Sequence, residues 1–147
     1  MKKTAYTMIV LLVLVGSMAV AAQAQTSAAR RLIASVPFAF NVGDKTMPAG
    51  EYIITQVNPA SDHAVLQLRS KDGKTSTMIQ MNSAIGKAQD TARLLFHRYD
   101  NEYFFAEAWI DGERDGLQAP KSRAERAVQR KLPGIKAKSE TVALRAQ

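Results

Sequence analysis

The sequence predicts a mainly β domain: one antiparallel sheet of about six strands, curled into a small barrel or a two-layer sandwich and followed by one short helix. Three observations predict it. Beyond residue 24, every aromatic side chain lies between Phe38 and Trp109, so the largest buried side chains, and with them the core, belong to that span. Within it, apolar residues recur at a period of two, broken by turn-forming residues at hairpin spacing. No stretch between Val36 and Ile110 keeps a helical period long enough for a crossover, which argues against parallel pairing.

Residues 1–24 read as a targeting segment. Lys2 and Lys3 precede the apolar run Met8–Val15, and Ala22-Gln23-Ala24 has the small-x-small form of a cleavage site, so the mature chain is expected to start at Gln25. A spanning helix needs roughly 20 apolar residues. Here Met8–Ala22 is shorter and is interrupted by Gly16-Ser17, so no transmembrane span is expected once the segment is removed. With no cysteine, the chain has no lipid-attachment site, disulfide, thiolate zinc site or cysteine nucleophile. The expected location is outside the cytoplasm: periplasm, cell surface or medium.

Residues 25–35, rich in Ala, Ser and Arg, read as a flexible N-terminal segment, and 36–120 as the β domain. Val36–Val42 places Val36, Phe38, Phe40 and Val42 on one face, with Pro37 marking a strand start or an edge. Gly43–Gly50 is turn-rich. Glu51–Val57 is β-branched and aromatic, and Asn58–His63 is a loop. Ala64–Arg69 turns its Ala64, Leu66 and Leu68 inward. Asp72-Gly73 then predicts a tight hairpin, because both central residues tolerate positive φ, returning through Thr75–Asn82. Thr91–Tyr99 and Glu102–Ile110 flank a second tight turn at Asp100-Asn101, and Asp111–Gly116 closes the sheet region.

A helix is expected over 121–132. Ser122-Arg123-Ala124-Glu125 has the capping-box form, in which hydroxyl and carboxylate satisfy each other's free backbone N–H groups, and Pro133-Gly134 stops the helix. Ala124, Ala127, Val128 and Leu132 form a weak inward stripe. Residues 133–147 read as a tail in which Thr141–Leu144 is either a short terminal strand or disordered. The charge is uneven. The net charge of the chain is +7, yet residues 25–120 are nearly balanced, while residues 121–147 hold eight Lys or Arg against Glu125 and Glu140. Arg123, Arg126 and Arg130 share one helix face by their three- and four-residue spacing, which makes them the candidate anion-binding residues.

Tests for chemistry return little. His63 and His97 could recruit Asp62 or Glu107, but nothing in the spacing requires a metal, and none is expected. No G-x-S-x-G is present, and Ser61, Ser70, Ser76 and Ser83 sit in or beside turns. Glu102 and Glu107, five apart on one strand, are expected to point to opposite faces. Asp111, Glu113 and Asp115 read as a solvated acidic turn. Gly43, Gly50, Gly73, Gly86, Gly112 and Gly116 read as isolated turn glycines, so no phosphate loop and no cofactor are expected.

The order Val36-Pro37-Phe38-x-Phe40-x-Val42-Gly43, then Pro48-Ala49-Gly50-x-Tyr52, then Phe96-His97-Arg98-Tyr99 with Tyr103-Phe104 and Trp109, then Pro120-x-Ser122-x-x-Glu125, resembles a family of short exported bacterial proteins with no assigned function. The resemblance spans about 90 residues (Val36 to Glu125) and implies an exported β-rich protein. It supplies no activity and no site. Family members usually carry Leu where this chain has Met47 and Ala119, and the smaller Ala119 implies looser docking of the helix. The Pro-Ala-Gly-x-Tyr stretch is also similar to strand starts of bacterial β-sandwich modules, which favours the sandwich.

Two functions remain open. The favoured one is an exported, non-catalytic β-rich protein of the envelope or medium that holds anionic envelope material, and no nucleic acid, through its basic C-terminal end. The alternative is a small exported hydrolase or isomerase built around His97. It would need His97 in a cleft with an acid and a hydroxyl within hydrogen-bond reach.

Overall fold

The structure is a computed structural model that describes residues 30–58, 63–88 and 90–147. The expected targeting segment, its cleavage residues Ala22, Ala24 and Gln25, and the loop residues Ser61 and Asp62 lie outside the described residues. In chain order the described elements are β1 (Arg31–Val36), β2 (Phe40–Val42), β3 (Lys45–Met47), β4 (Gly50–Gln56), β5 (Ala64–Ser70), β6 (Ser76–Ile85), β7 (Arg93–Tyr99), β8 (Glu102–Trp109), β9 (Asp115–Gln118), α1 (Arg123–Lys131) and β10 (Lys138–Ala146).

Eight of these strands close on themselves. The order around the barrel is β1-β4-β5-β6-β9-β8-β7-β10 and back to β1, with every pairing antiparallel. The fold is therefore the mainly β, antiparallel class the alternation predicts, with more strands than the six expected. Closure decides for the barrel against the favoured sandwich. Four-residue β9 bonds β6 on one side and β8 on the other, so the sheet keeps no free edge there. The β2–β3 hairpin is appended outside this ring and meets β8 at one parallel bridge, Asn41 to Phe104, a departure from purely antiparallel pairing.

The interior is filled from all sides. Ala34, Tyr52, Ile54, Leu66, Leu68, Met81, Leu94, Phe96, Phe105 and Val142 belong to one buried cluster, and the appended hairpin adds Phe40, Val42 and Met47. Phe96 packs edge-on against Phe38, Phe40 and Phe105, with ring centroids 5.2–5.9 Å apart. Burying each such ring contributes about 1.5–3 kcal/mol. The reverse pattern, apolar outside, would mark a membrane barrel; here the outward positions of β5 and β6 include Gln67, Arg69 and Gln80. Among the described residues, no helix is long and apolar enough to cross a membrane.

Several expectations need correction. The segment expected to be flexible contains all of β1 except its last residue, and Leu32, Ala34 and Val36 of this strand point inward between β4 and β10. Its short side chains carry the period of two without any aromatic to advertise it. Val36–Val42 is not one strand. Pro37 lacks the N–H a ladder needs, so β1 ends at Val36 and β2 starts afresh at Phe40. The tail is a full barrel strand, β10, with its first half on β7 and its end on β1.

At the Asp72 hairpin, positive φ is taken by Gly73 alone (76°), after a turn closed by the Gly73 N–H donating to the Ser70 carbonyl. Asp72 instead accepts from the Ser70 hydroxyl and the Lys74 N–H, which hold its carboxyl below the ordinary value. In the other hairpin Asp100 has φ 53°. Gly86 and Gly116 are not turn glycines but the seat of the Trp109 ring. A Cβ on either would come within 2.7 Å of ring carbons. Glu102 and Glu107 share one face, because Ala106 is an extra residue in β8: Phe96 faces Phe105 while Leu95 faces Glu107.

Candidate functional site

The outward face of the β7–β8 hairpin carries a second buried patch. Tyr99 and Phe104 stack edge-on at 5.9 Å and, like Ala106, are buried although they point away from the barrel interior. Strand alternation sends His97 and Tyr99 to this same outer face, opposite Phe96. The chain leaves β9, and the Ala119 N–H donates to the carbonyl of the bulge residue Ala106, 2.7 Å. That places α1 to lie over the patch. Ser122 caps α1, accepting from the Glu125 N–H at 3.0 Å.

Only this half of the expected capping box forms. The Glu125 carboxylate turns instead toward the barrel, and the residue is 3 % exposed. Its Oε1 accepts from the Tyr99 hydroxyl at 3.1 Å and lies 2.8 Å from His97 Nδ1. One helical turn on, Gln129 Nε2 donates to the Tyr99 hydroxyl at 2.7 Å. The spacings match: two residues apart on a strand, four apart on a helix, each pair on one face. Burial alone would raise the Glu125 carboxyl. The hydrogen bonds from His97 and Tyr99, with the attraction of His97 and Lys121, outweigh it and hold Glu125 below the ordinary carboxylate range. An ionised carboxylate can only accept, so His97 Nδ1 carries the proton between them. Burial, then the Glu125 charge and its hydrogen bond, push the Tyr99 phenol up to about 12.

This constellation brings His97 together with an acid and a hydroxyl, as the enzymatic alternative requires. Within it Glu125 engages both His97 Nδ1 and the Tyr99 hydroxyl. The phenol is held far from ionisation, its proton given to Glu125 and its oxygen accepting from Gln129. Two open clefts lie elsewhere. One, of about 460 Å³, is lined by residues of the Pro48–Tyr52 stretch and of the β5–β6 hairpin. The other, of about 330 Å³, is lined by Arg30, Leu32, Thr91 and Leu144, among others. In the first, Lys71 pairs with Glu51 at 2.8 Å; in the second, Arg30 pairs with Asp111 at 3.8 Å. Asp111, Glu113 and Asp115 are exposed, and among the described residues no three metal-ligating side chains converge. His63 is exposed beside the loop, its carbonyl accepting from Asn58 Nδ2.

The opposite face of α1 is cationic. Arg123, Arg126 and Arg130 are all exposed, while Ala124, Ala127, Val128 and Leu132 are half-buried. Among the described residues, none of the three arginines makes an ion pair. The sequence located this row but missed the clasp beneath it. Its signal was present, a His and Tyr at strand spacing and a Glu and Gln at helix spacing, but which strand the helix would cover was not readable locally. No family model, curated protein or solved structure matches this chain.

Proposed function

We propose that this protein is an exported, non-catalytic β-barrel of the bacterial envelope or its surroundings, which holds anionic envelope material on the outer face of α1. The membership of a short exported family suggested by the Val36–Glu125 pattern belongs to the same proposal. One observation carries the binding role. Between Lys121 and Ser139 the sole acid is Glu125, and its carboxylate is buried and engaged by His97 and Tyr99. Lys121, Arg123, Arg126, Arg130, Lys131, Lys136 and Lys138 are all exposed. Within this segment the cations are therefore interleaved with no exposed acid; from outside it, the Asp44 carboxylate accepts from the Ala124 N–H at 3.4 Å, at the N-terminal end of α1. Guanidinium groups suit bidentate contact with phosphate and carboxylate.

Truncation of the basic end would remove β10 and open the barrel, so substitution is required. The chain from Gln25 onward and its Arg123→Gln/Arg126→Gln/Arg130→Gln variant are applied to phosphocellulose. The expected result is elution of the variant at clearly lower salt, since screening weakens exposed charge contacts. Equal elution of the two forms removes the binding role.

A further inference from the structure

Past the cationic face, the chain turns at Pro133-Gly134, where Gly134 has φ 94°, and presents Ile135 half exposed to solvent. The Ile135 N–H donates to the Leu132 carbonyl at 3.2 Å, so this turn is tied to the end of α1 rather than trailing from it. Ile135 is bracketed by Arg130 and Lys131 on one side and Lys136 and Lys138 on the other, all exposed. A lone exposed Ile is ordinary on a protein surface. An exposed Ile on a fixed turn inside a cationic stretch, Arg126–Ser139, that holds no acid has the composition of an interfacial contact, in which cations meet anionic headgroups and an apolar side chain enters the acyl boundary.

We propose that the occupant of this surface is the face of an anionic lipid bilayer, with Arg123, Arg126, Arg130 and Lys131 on the headgroups and Ile135 inserted between them. This rests on the anion-binding reading above and makes it specific. A soluble polyanion needs the charges but gives no role to Ile135; a bilayer uses both. Seven exposed cations within 18 residues, with the one acid withdrawn into the clasp, supply the charge complementarity. A patch of this kind gives reversible, salt-sensitive attachment rather than insertion, because a single apolar side chain does not anchor a protein alone.

The test uses the chain from Gln25 onward, which retains every strand of the closed barrel and α1. It is sedimented with vesicles of phosphatidylglycerol and phosphatidylethanolamine, and with neutral phosphatidylcholine vesicles, at low and high salt. Binding to anionic vesicles that falls at high salt, with none to neutral ones, is expected. Ile135→Ser should weaken it about tenfold with unchanged salt dependence, and the triple arginine variant about a hundredfold. Ile135→Trp should shift its emission to shorter wavelength on anionic vesicles, while an unchanged melting temperature shows that the fold is intact. Retention on phosphocellulose without vesicle binding would overturn the bilayer and leave the anion-binding reading standing. Vesicle binding that ignores Ile135→Ser, with no spectral shift for Ile135→Trp, would also overturn it. Failure to bind either material would remove both.

Discussion

The interior of the barrel and the seat of α1 on its outer wall are built from the same two strands, yet they are held by opposite means. Inside, β7 and β8 offer Leu94, Phe96, Phe105 and Ala108 to a continuous apolar cluster. Outside, the same strands offer His97, Tyr99 and Phe104, and the side chain of α1 that reaches deepest is a carboxylate. Apolar packing is non-directional and tolerates adjustment. A buried carboxylate is secure only while each of its donors is in place, and it costs more when one is missing. The barrel should therefore be the robust part and the helix the selective one: α1 has one correct position, set by His97 and Tyr99. Bringing Glu125 inward also leaves no carboxylate among the exposed side chains of α1, so the clasp serves the docking of the helix and the charge of its far side together.

The largest expected effect lies inside. Phe96 is fully buried and meets three other phenylalanine rings. Phe96→Ala should cost about 3–5 kcal/mol by lost transfer energy and the cavity left behind. Denaturant unfolding should show this as a single cooperative transition moved to lower midpoint, with strand and helix signals lost together. A loss under about 1 kcal/mol would mean that the barrel does not rest on this cluster.

A smaller effect belongs to the clasp. Glu125→Ala strips the acceptor from Tyr99 and His97 and should cost about 2 kcal/mol. The loss should be local: faster hydrogen exchange at the helix amides of Arg126 and Leu132, with the barrel strands still protected. The pH dependence of the clasp follows from its two shifted groups. Glu125 lies below its ordinary 4.5, so its stabilisation is complete above that value and lost as pH falls through the lower folded value. Tyr99 is raised from 10.0 to about 12, so its contribution is complete below pH 10 and lost as pH rises toward 12. In Glu125→Gln the acid limb should shrink to what the exposed Asp72 and Glu51 contribute, and the alkaline limb should shrink because the charge opposing phenolate is gone. An unchanged acid limb would place the acid sensitivity elsewhere.

The same contrast explains what could be read from the chain beforehand. Alternation in Ala64–Arg69, the aromatic run Glu102–Ile110, and turn residues at Asp72-Gly73 and Asp100-Asn101 are local signals, and they located most of the strands. The helix limits came from Ser122 and Pro133-Gly134, also local. Closure was not legible. It depends on β9, only four residues long, reaching both β6 and β8, and on β10 returning from beyond the helix to lie between β7 and β1. The bulge at Ala106, which turns Glu102 and Glu107 to one face, and the two glycines under Trp109 likewise exist only relative to a neighbouring strand. In the candidate site the arginine row was visible as spacing alone. The burial of Glu125 was masked, because Ser122 and Glu125 also satisfy the simpler capping-box pattern.

The smallest expected effect sharpens the distinction between the two faces of α1. Arg123→Gln, Arg126→Gln and Arg130→Gln together should leave stability within about 0.5 kcal/mol of the parent, because exposed positions away from a network contribute little. The individual terms show why. Gln and Arg have similar helix propensity. Arg123 with Arg126, and Arg126 with Arg130, are like-charged neighbours one turn apart, each pair costing about 0.2–0.5 kcal/mol. Arg123 also sits unfavourably at the positive N-terminal end of the helix, whereas Arg130 near the C-terminal end is favourable by a comparable amount. Removing all three therefore relieves slightly more repulsion than it loses in attraction. The melting temperature should equal or slightly exceed that of the parent at low salt, and the two should converge at high salt as screening removes the difference. A drop of more than about 1 kcal/mol would show that the arginines help to hold the helix down, and the division between a structural inner face and a binding outer face would fail.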